Sequence, residues 1–286
     1  MKTLLYTGFA LVAFSANSVL CRMALRAATI DAASFSTLRL ASGAFTLLLM
    51  MTIFKEKASF TPRDRWSSAM LLFLYAVPFS FAYIGLSAGT GALILFGAVQ
   101  ATMILAALRS GERPHHLEWA GLILAIGGLV GLVFPGLTAP SPTSSSLMAI
   151  AGIAWGIYSL RGRGAASPLA ATTNNFVRAV PAAIGVNLVM LRDLHVSVEG
   201  AFLAVLSGAL ASGMGYVAWY AALRGLTAMR AAMVQLAVPV LAAAGGVLFL
   251  SEHLTLRLVL SAVVILGGIG VALLGRQVSV PASAIK

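Results

Sequence analysis

The chain has 286 residues, of which 60% are hydrophobic and 9% are charged, and its mean hydropathy is +0.97. One soluble core of this length could not bury so much apolar surface, so the composition excludes a soluble globular protein and favours one solvated by lipid. The net charge of +11 could suit a nucleic-acid partner. The placement of the basic residues, described below, argues against that interpretation, and we expect no nucleic-acid partner.

Apolar runs of about 20 residues, the length that crosses a bilayer, follow one another along the chain. We therefore predict an all-α polytopic membrane protein with about ten transmembrane helices. Lys2 precedes the first run as in a signal peptide, but no small-residue cleavage site and soluble domain follow it, so we expect a retained helix. The predicted spans are 3–21, 34–54, 68–87, 91–108, 117–135, 146–161, 170–191, 200–221, 229–250 and 256–275.

The basic residues are divided unequally between the two predicted faces of the membrane. Of the 19 Lys and Arg, thirteen fall in loops on one face and four on the other, while Arg39 and Arg178 fall inside spans. Such a bias marks the cytoplasmic face, so we expect both termini in the cytoplasm. The single cysteine, Cys21, excludes an intrachain disulfide.

Two segments half a chain apart carry the same pattern, a glutamate ahead of an apolar run and a Gly-Gly pair fifteen residues after the glutamate. Similar matches recur upstream, so we predict a first five-helix repeat over 1–139 and a second over 140–286. Because five is odd, the second copy must enter the membrane from the opposite face, as in carriers that expose one site to each side in turn. At an offset of 140, the matching residues are Glu112 with Gly127-Gly128 and Glu252 with Gly267-Gly268.

Arg39 and Arg178 match each other at an offset of 139. A charged side chain at the bilayer centre costs about 2.5–3.5 kcal/mol on insertion scales. We therefore expect each arginine to extend toward a membrane surface, Arg39 toward the outer one and Arg178 toward the inner one.

Glycines in the fifth predicted span are spaced as small residues are where membrane helices touch closely. We expect packing against a neighbouring helix to be their main role, and the same for the related glycines of the second half. The first set is Gly121, Gly127, Gly128 and Gly131.

The repeated pattern is similar to that of a known transporter family. Its features are Ala222-Leu223 through Gly268, Trp155-Gly156, the Arg39/Arg178 pair and Pro239 in the fourth span of the second half, where the first half has Val99. On these features both halves resemble the EamA type of the drug/metabolite transporter superfamily. The whole chain is most similar to the bacterial aromatic amino acid exporter branch. The resemblance implies a carrier in the bacterial inner (plasma) membrane that moves small metabolites outward.

A polar or aromatic side chain near the middle of a span needs a partner within the protein and is a candidate for substrate binding. Tyr75, Phe79 and Tyr83 recur every four residues and share one helix face, which could line a central cavity. Trp155 is the strongest single candidate, since the matching first-half residue is Phe14. The candidate substrate-binding residues are Phe14, Asn17, Tyr75, Phe79, Tyr83, Gln100, Trp155, Tyr158, Tyr216, Trp219 and Gln235.

Tyrosine and tryptophan residues near span ends are typically interfacial rather than ligand-binding. This interpretation applies most to Tyr6, Trp66, Trp119 and Tyr220. For Tyr220 it competes with membership of a second aromatic face, since Tyr216 and Tyr220 are four residues apart on one helix.

All eight Asp and Glu residues and all four His residues fall in loops or at span ends. We therefore expect no proton relay inside the membrane, and transport driven by the substrate gradient rather than strictly coupled to protons. His115-His116 have no third metal ligand nearby in the sequence, so we expect no metal. We expect no cofactor either.

These observations favour a carrier that exports aromatic and other apolar or neutral amino acids by alternating access through a cavity between the repeats. The alternatives are an exporter of another small metabolite or drug, an intramembrane lipid-modifying enzyme, and a channel or non-catalytic assembly subunit. An enzyme would need paired carboxylates, an activated nucleophile or a metal set, and the sequence offers no candidate cluster. The expected partners are a small-molecule substrate and the lipid bilayer, and a monomer is compatible with the sequence.

Overall fold

The computed structural model describes residues 2–56, 66–86, 88–133, 141–249 and 256–278. These residues are almost entirely helical, and the described part contains no β-structure beyond one isolated bridge between Ile30 and Val196. A 3-10 turn spans Leu191–Asp193 and a π-helical segment spans Ser207–Met214. The α-helices are α1 (Lys2–Arg26), α2 (Ala32–Ile53), α3 (Ser67–Gly85), α4 (Ala88–Arg109), α5 (His116–Val133), α6 (Pro142–Gly162), α7 (Pro168–Val189), α8 (Val198–Leu206), α9 (Gly215–Leu223), α10 (Ala228–Gln235), α11 (Ala237–Phe249) and α12 (Leu256–Val278).

The helices correspond to the predicted spans. The segment from α8 through the π-helical turns to α9 is one rod, Val198–Leu223, and α10 with α11 is another, Ala228–Phe249. The described helices thus form ten rods, each within five residues of a predicted span at either end. Five rods are long and apolar enough to cross a membrane, and three others contain shorter apolar segments. The prediction of an all-α polytopic membrane protein is confirmed.

Several helices begin at a residue whose side-chain oxygen accepts a hydrogen bond from the N–H three residues later. This bond satisfies one of the amide groups that the first helical turn leaves unpaired. Each capping residue stands just ahead of a helical run, so the sequence itself marks where the rod begins. The capping residues are Asp31 for α2, Ser167 for α7, Ser197 for α8 and Thr227 for α10.

The rods alternate in direction along the chain. We call the end where α1 begins and α12 ends the terminal end, and the end where α1 ends and α2 begins the vestibule end. Helix α5 packs against α12, α2 against α7, α6 against α3 and α4, and α1 against α9 and α11. The buried core draws residues from all ten rods.

The rod Ala228–Phe249 is interrupted at Leu236, between α10 and α11. Pro239 has no N–H to donate to the carbonyl of Gln235 four residues earlier, and this missing hydrogen bond explains the interruption. Val99, at the matching place in the first half, lies within α4, which is one continuous helix. Of the two related helices, only the second is therefore interrupted.

Helices α5 and α12 approach so closely that their backbones touch. A Cβ added to Gly268 would lie 2.6 Å from the carbonyl oxygen of Gly121, and one added to Gly128 would lie 2.8 Å from Cγ1 of Ile265. The packing role expected for Gly121 and Gly128 is confirmed. For Gly127 the expectation is wrong, because a Cβ there would meet nothing within 4 Å.

We expect Gly121→Ala to lower the free energy of unfolding by about 1–3 kcal/mol, because the new Cβ would lie 2.7 Å from that of Ala272. Gly127→Ala is the matched control. Its Cβ would enter open space and alanine favours helix, so this variant should equal the native protein or exceed its stability by up to about 1 kcal/mol. Thermal unfolding in detergent checks both values. Equal destabilisation by the two substitutions would contradict the close contact of α5 with α12.

Candidate functional site

The centre of the bundle holds a continuous group of aromatic rings, which we call the aromatic cluster. The rings come from α1, α3, α6, α7 and α9, so both halves of the chain contribute. Centroids of neighbouring rings lie between 4.7 and 6.4 Å apart. The members are Phe14, Tyr75, Phe79, Tyr83, Trp155, Tyr158, Phe176, Tyr216, Trp219 and Tyr220.

Trp155 on α6 lies in the middle of this cluster. Its ring centroid is 4.7 Å from that of Tyr216, 4.8 Å from that of Tyr75 and 5.1 Å from that of Phe14. The Phe14 ring meets it edge-on at 87°, an arrangement that sets the positive edge of one ring against the negative face of the other. Phe14 and Trp155, which match each other across the two halves of the sequence, are thus in direct contact.

Hydrogen bonds from neighbouring helices hold the two indole rings in place. The indole N–H of Trp155 donates to Oε1 of Gln235 at 2.7 Å. The indole N–H of Trp219 donates to the hydroxyl of Ser159 at 3.0 Å. Because a buried donor without a partner costs stability, these bonds fix the orientation of both rings.

The three predicted amide residues lie around the cluster, and only one touches its central ring. Asn17 accepts a hydrogen bond from the hydroxyl of Ser207 at 2.6 Å. Gln100 donates to a carbonyl of α10 at 2.7 Å, and its Oε1 has no hydrogen-bond partner among the described residues. Gln235, which binds the Trp155 indole, also donates to a carbonyl of α10 at 3.0 Å. The structure therefore brings Gln235 to Trp155 but not Asn17 or Gln100.

Arg39 on α2 lies against the cluster, although we expected it at the membrane surface. Its side chain is 1% exposed, and its Cζ lies 5.3 Å from the ring centroid of Tyr75 and 5.8 Å from that of Phe79. Its Nε donates to the hydroxyl of Ser212 at 2.8 Å, and its Nη2 donates to that of Tyr216 at 2.6 Å. The expectation is wrong because hydroxyl groups and ring faces of other helices receive the guanidinium inside the bundle.

The π-helical segment Ser207–Met214 helps to bring these hydroxyl groups to Arg39. A π turn adds one residue to the helix, which changes the direction of the side chains that follow, and such turns are frequent at functional sites. Ser212 lies in the segment and Tyr216 lies just after it. Gly208 allows the close approach of α2, since a Cβ there would collide with the backbone carbonyl of Arg39.

A cavity of about 610 Å³ opens at the vestibule end, a size that suits a small molecule. It is lined by the last turns of α1 and α3, the start of α2, and His195 from the segment before α8. Tyr83 lines this cavity and packs against Phe79, with ring centroids 4.9 Å apart. Because Tyr83 belongs to the aromatic cluster, the cavity reaches the edge of the cluster at this ring, and Phe79, which Tyr83 contacts, lies against Arg39.

At the terminal end, polar contacts join the two halves of the chain. Glu112, between α4 and α5, accepts hydrogen bonds from the first two N–H groups of α10 at 2.9 and 3.2 Å. It also pairs with Arg163, after α6, at 3.4 Å. A carboxylate is favoured at a helix N-terminus by the unpaired amides and by the helix dipole. A second ion pair, Glu118 with Arg230 at 3.1 Å, lies beside the first.

A second cavity, of about 480 Å³, lies between α2 and α7 nearer the terminal end. Arg178 lines it and is partly exposed, as expected for an arginine near a membrane surface, with its Cζ 6.0 Å from the ring centroid of Trp66. Arg39 and Arg178 match each other in sequence, yet the first is enclosed and the second is not.

Asp31 ties the start of α2 to the segment before α8 at the vestibule end. Its carboxylate accepts hydrogen bonds from the N–H of Ser34 at 2.8 Å and from the N–H of His195 at 3.0 Å. Burial by itself would raise the pKa of this carboxyl, but the hydrogen bonds from His195 and Ser34 outweigh burial and hold its pKa below the usual value.

We expect the contribution of Asp31 to stability to depend on pH. A carboxyl whose pKa is lowered by folding stabilises the protein above its unfolded pKa of about 3.9, and the contribution is lost as pH falls through the folded pKa. Asp31→Asn keeps a capping oxygen, so its deficit near neutral pH should disappear in acid. Asp31→Ala also loses the cap, which adds roughly 1 kcal/mol. Unfolding midpoints over a pH series measure both effects, and a pH-independent deficit for Asp31→Asn would contradict the expected ionisation.

The aromatic residues near span ends divide into two groups. Tyr6, Trp66 and Trp119 are 43%, 65% and 37% exposed, in agreement with the interfacial interpretation. Tyr220 is 2% exposed, and its hydroxyl donates to the carbonyl of Tyr158 at 3.3 Å. For Tyr220 the interfacial interpretation is wrong, because the cluster encloses its ring.

Comparison with known proteins identifies the family. The family model described as the EamA-like transporter family matches residues 143–274. The chain belongs to the EamA-like transporter family. An uncharacterized protein of Pseudomonas aeruginosa is 49% identical to this EamA-like transporter over 276 residues, which cover 96% of each chain. A protein of Archaeoglobus fulgidus named as an uncharacterized transporter is 27% identical over 199 residues, covering 68% of this chain and 71% of its own.

A solved structure described as the crystal structure of a protein shares the fold, with a TM-score of 0.77 over 93% of this chain and 98% of that chain. At 18% sequence identity this likeness concerns the fold alone. The family assignment makes the chain a multi-pass membrane transporter of small metabolites and not an enzyme. The lipid-modifying alternative is thereby excluded.

In this EamA-like transporter the eight predicted aromatic residues all belong to the aromatic cluster. Sequence reasoning missed Phe176 and Arg39. Nothing in the sequence distinguishes Phe176 from the other phenylalanines of apolar runs. The position of Arg39 in the sequence could have indicated its burial, because an ionisable residue well inside a span is expected to face the protein interior.

Proposed function

We propose that this EamA-like transporter exports amino acids, with aromatic and other apolar or neutral ones as substrates, by alternating access through the aromatic cluster. The observation that carries the proposal is the cluster itself, in which rings from both halves of a transporter surround Trp155. Flat rings favour an aromatic or apolar side chain, and the buried hydroxyl and amide groups beside them suit the polar part of an amino acid.

The asymmetry between the two ends supports a carrier in one of its two states. The cavity at the vestibule end reaches Tyr83, whereas the contacts of Glu112 join the halves at the terminal end. The rings of the cluster are in direct contact with one another, so a substrate that binds among them must separate them. We infer that α3 and α9, which carry most of these rings, move during transport.

The packing of the helices supports two inverted repeats, 1–139 and 140–286. An offset of about 140 relates α1 to α6, α2 to α7, α3 to α8 and α9, α4 to α10 and α11, and α5 to α12. Exchanging each helix for its partner in the other half then reproduces the observed contacts. The pairs α2–α7 and α5–α12 are each unchanged by the exchange. The contact of α3 with α6 corresponds to that of α9 with α1, and the contact of α4 with α6 corresponds to that of α11 with α1. If the repeats exchange conformations, the terminal end opens and the vestibule end closes.

Exchange of labelled phenylalanine in liposomes tests the proposed substrate class. Liposomes that contain the purified transporter and unlabelled phenylalanine should take up labelled phenylalanine and release it chemically unchanged. The described acidic residues lie in loops or at helix starts, so collapsing a pH gradient should leave this exchange largely intact. If no amino acid exchanges while another small aromatic metabolite does, the protein exports that metabolite instead.

Single cysteines in a Cys21→Ala background test the orientation. Arg113 at the terminal end and Glu199 at the vestibule end are both exposed and suit this purpose. Glu112 does not, because it binds the start of α10, and Glu252, its match in the second half, lies outside the described residues. An impermeant thiol reagent should reach position 113 only from the cytoplasm and position 199 only from outside. Labelling of both from one side would contradict the topology.

A further inference from the structure

Arg39 has a hydrogen-bond donor for which the described part of the chain offers no partner. Its Nη1 is buried and has no partner among the described residues, whereas Nε and Nη2 bind Ser212 and Tyr216. A guanidinium presents five N–H groups in a fixed planar fork, and the two on Nη1 have no partner among the described residues. An unpaired donor on a buried charged group is costly, which points to a ligand that completes the site when it is bound.

No described carboxylate balances the charge of Arg39. The described ion pairs of the transporter lie at the terminal end and involve other arginines. The neighbours of Arg39 are neutral hydroxyl groups and the faces of two rings. A cation in such low-dielectric surroundings attracts an anion strongly. The missing partner is therefore an anion.

Ring contacts connect Arg39 both to the vestibule cavity and to the centre of the cluster. On one side, Arg39 contacts Phe79, which packs against Tyr83 in the wall of the cavity. On the other side, Tyr75 contacts both Arg39 and Trp155. A ligand that binds at Nη1 can thus place an apolar group beside Tyr75 and Trp155 once the rings separate.

We propose that Arg39 binds the carboxylate of the transported molecule, and that this contact selects carboxylates over the corresponding amines and amides. The proposal rests on the proposed function in so far as the carboxylate belongs to an amino acid. The planar fork of arginine matches a carboxylate with two parallel hydrogen bonds, which the point charge of lysine does not. Ser212 and Tyr216 act as positioning residues that hold the guanidinium with Nη1 free.

Binding to the purified transporter in detergent tests the proposal without requiring transport. One probe is 3-phenylpropionate, which has a ring and a carboxylate but no ammonium group, and the other is 2-phenylethylamine, which has a ring and an ammonium group but no carboxylate. The native protein should bind the carboxylate about 10- to 100-fold more tightly, the effect of a hydrogen bond between charged groups. Equal affinities, or tighter binding of the amine, would overturn the proposal.

Two variants of Arg39 sharpen the test. Arg39→Met keeps the apolar stem and removes the charge, so it should bind 3-phenylpropionate about 10- to 100-fold more weakly than the native protein and should lose the preference between the probes. Arg39→Lys should bind 3-phenylpropionate with an affinity between those of the native protein and of Arg39→Met. Arg178→Met, which changes the matching arginine outside the cluster, should bind as the native protein does. An unchanged preference in Arg39→Met would overturn the proposal, and if that variant does not fold, the two probes on the native protein decide.

Different results would contradict the proposed role of Arg39 and the proposed export of amino acids. If phenylalaninamide inhibits phenylalanine exchange as strongly as phenylalanine itself, the role of Arg39 is wrong and amino acid export stands. If 3-phenylpropionate binds through Arg39 but no amino acid exchanges in liposomes, the role of Arg39 stands and amino acid export is wrong.

Discussion

Replacing Trp155 with alanine is expected to lower the free energy of unfolding by about 3–5 kcal/mol and to abolish phenylalanine exchange. The side chain contacts four other rings, and its removal leaves a cavity among them. Oε1 of Gln235 also loses its indole partner, which is part of this loss. Thermal unfolding in detergent and exchange in liposomes measure the two effects.

Two milder substitutions separate the role of the Trp155 ring from a general loss of stability. Trp155→Phe keeps a ring but leaves Oε1 of Gln235 without its donor, so it should lower the free energy of unfolding by about 1–3 kcal/mol and should reduce phenylalanine exchange more than alanine exchange. Trp119→Phe, at a partly exposed position, should change the free energy of unfolding by no more than about 0.5 kcal/mol and should leave phenylalanine exchange unchanged. If Trp155→Ala exchanges phenylalanine normally while Trp119→Phe does not, the cluster is not the substrate site.

Replacing Glu112 with alanine is expected to cost about 2–4 kcal/mol and to loosen the terminal end. The substitution frees two N–H groups at the start of α10 and removes the carboxylate that pairs with Arg163. Hydrogen–deuterium exchange of the first turn of α10 should become faster, and thermal unfolding should occur at a lower temperature. Glu112→Gln keeps an oxygen that can accept hydrogen bonds, so its stability should lie between those of Glu112→Ala and the native protein.

Glu199→Ala is the matched control for Glu112. Glu199 is an exposed glutamate in the first turn of α8, where it interacts with the dipole of its own helix and does not join the two halves at the terminal end. Its replacement should lower the free energy of unfolding by about 0.3–1 kcal/mol and leave the hydrogen–deuterium exchange of α10 unchanged. Equal losses of stability at the two positions would contradict the closing role of Glu112.

The rods were predictable from the sequence because lipid requires long apolar helices and because capping residues mark several of their starts. Asp31 and Thr227 stand just ahead of such runs, and both cap the helices that follow. The aromatic residues of the cluster were predictable for a related reason, since tyrosine and tryptophan deep in a span need partners inside the protein. The interruption at Leu236 was not predictable from Pro239 alone, because Pro78 and Pro181 lie inside α3 and α7 without interrupting them.

The surroundings of Arg39 were not predictable, because its partners are distant in the chain. Ser212 and Tyr216 follow it by 173 and 177 residues. Their approach depends on a π-helical segment, and periodicity arguments assume a regular α-helix throughout. The interfacial prediction for Tyr220 was wrong for a similar reason, since distance from a span end does not reveal whether neighbouring helices enclose the ring.

Efflux of labelled phenylalanine from liposomes, with and without unlabelled phenylalanine outside, tests alternating access most directly. A carrier has to return its binding site to the inner side after each release, and a bound substrate can make that return productive. We therefore expect efflux to be faster when phenylalanine is present outside, and we expect Arg39→Met to lose this acceleration. Efflux at the same rate with and without external phenylalanine would contradict alternating access and would indicate a channel.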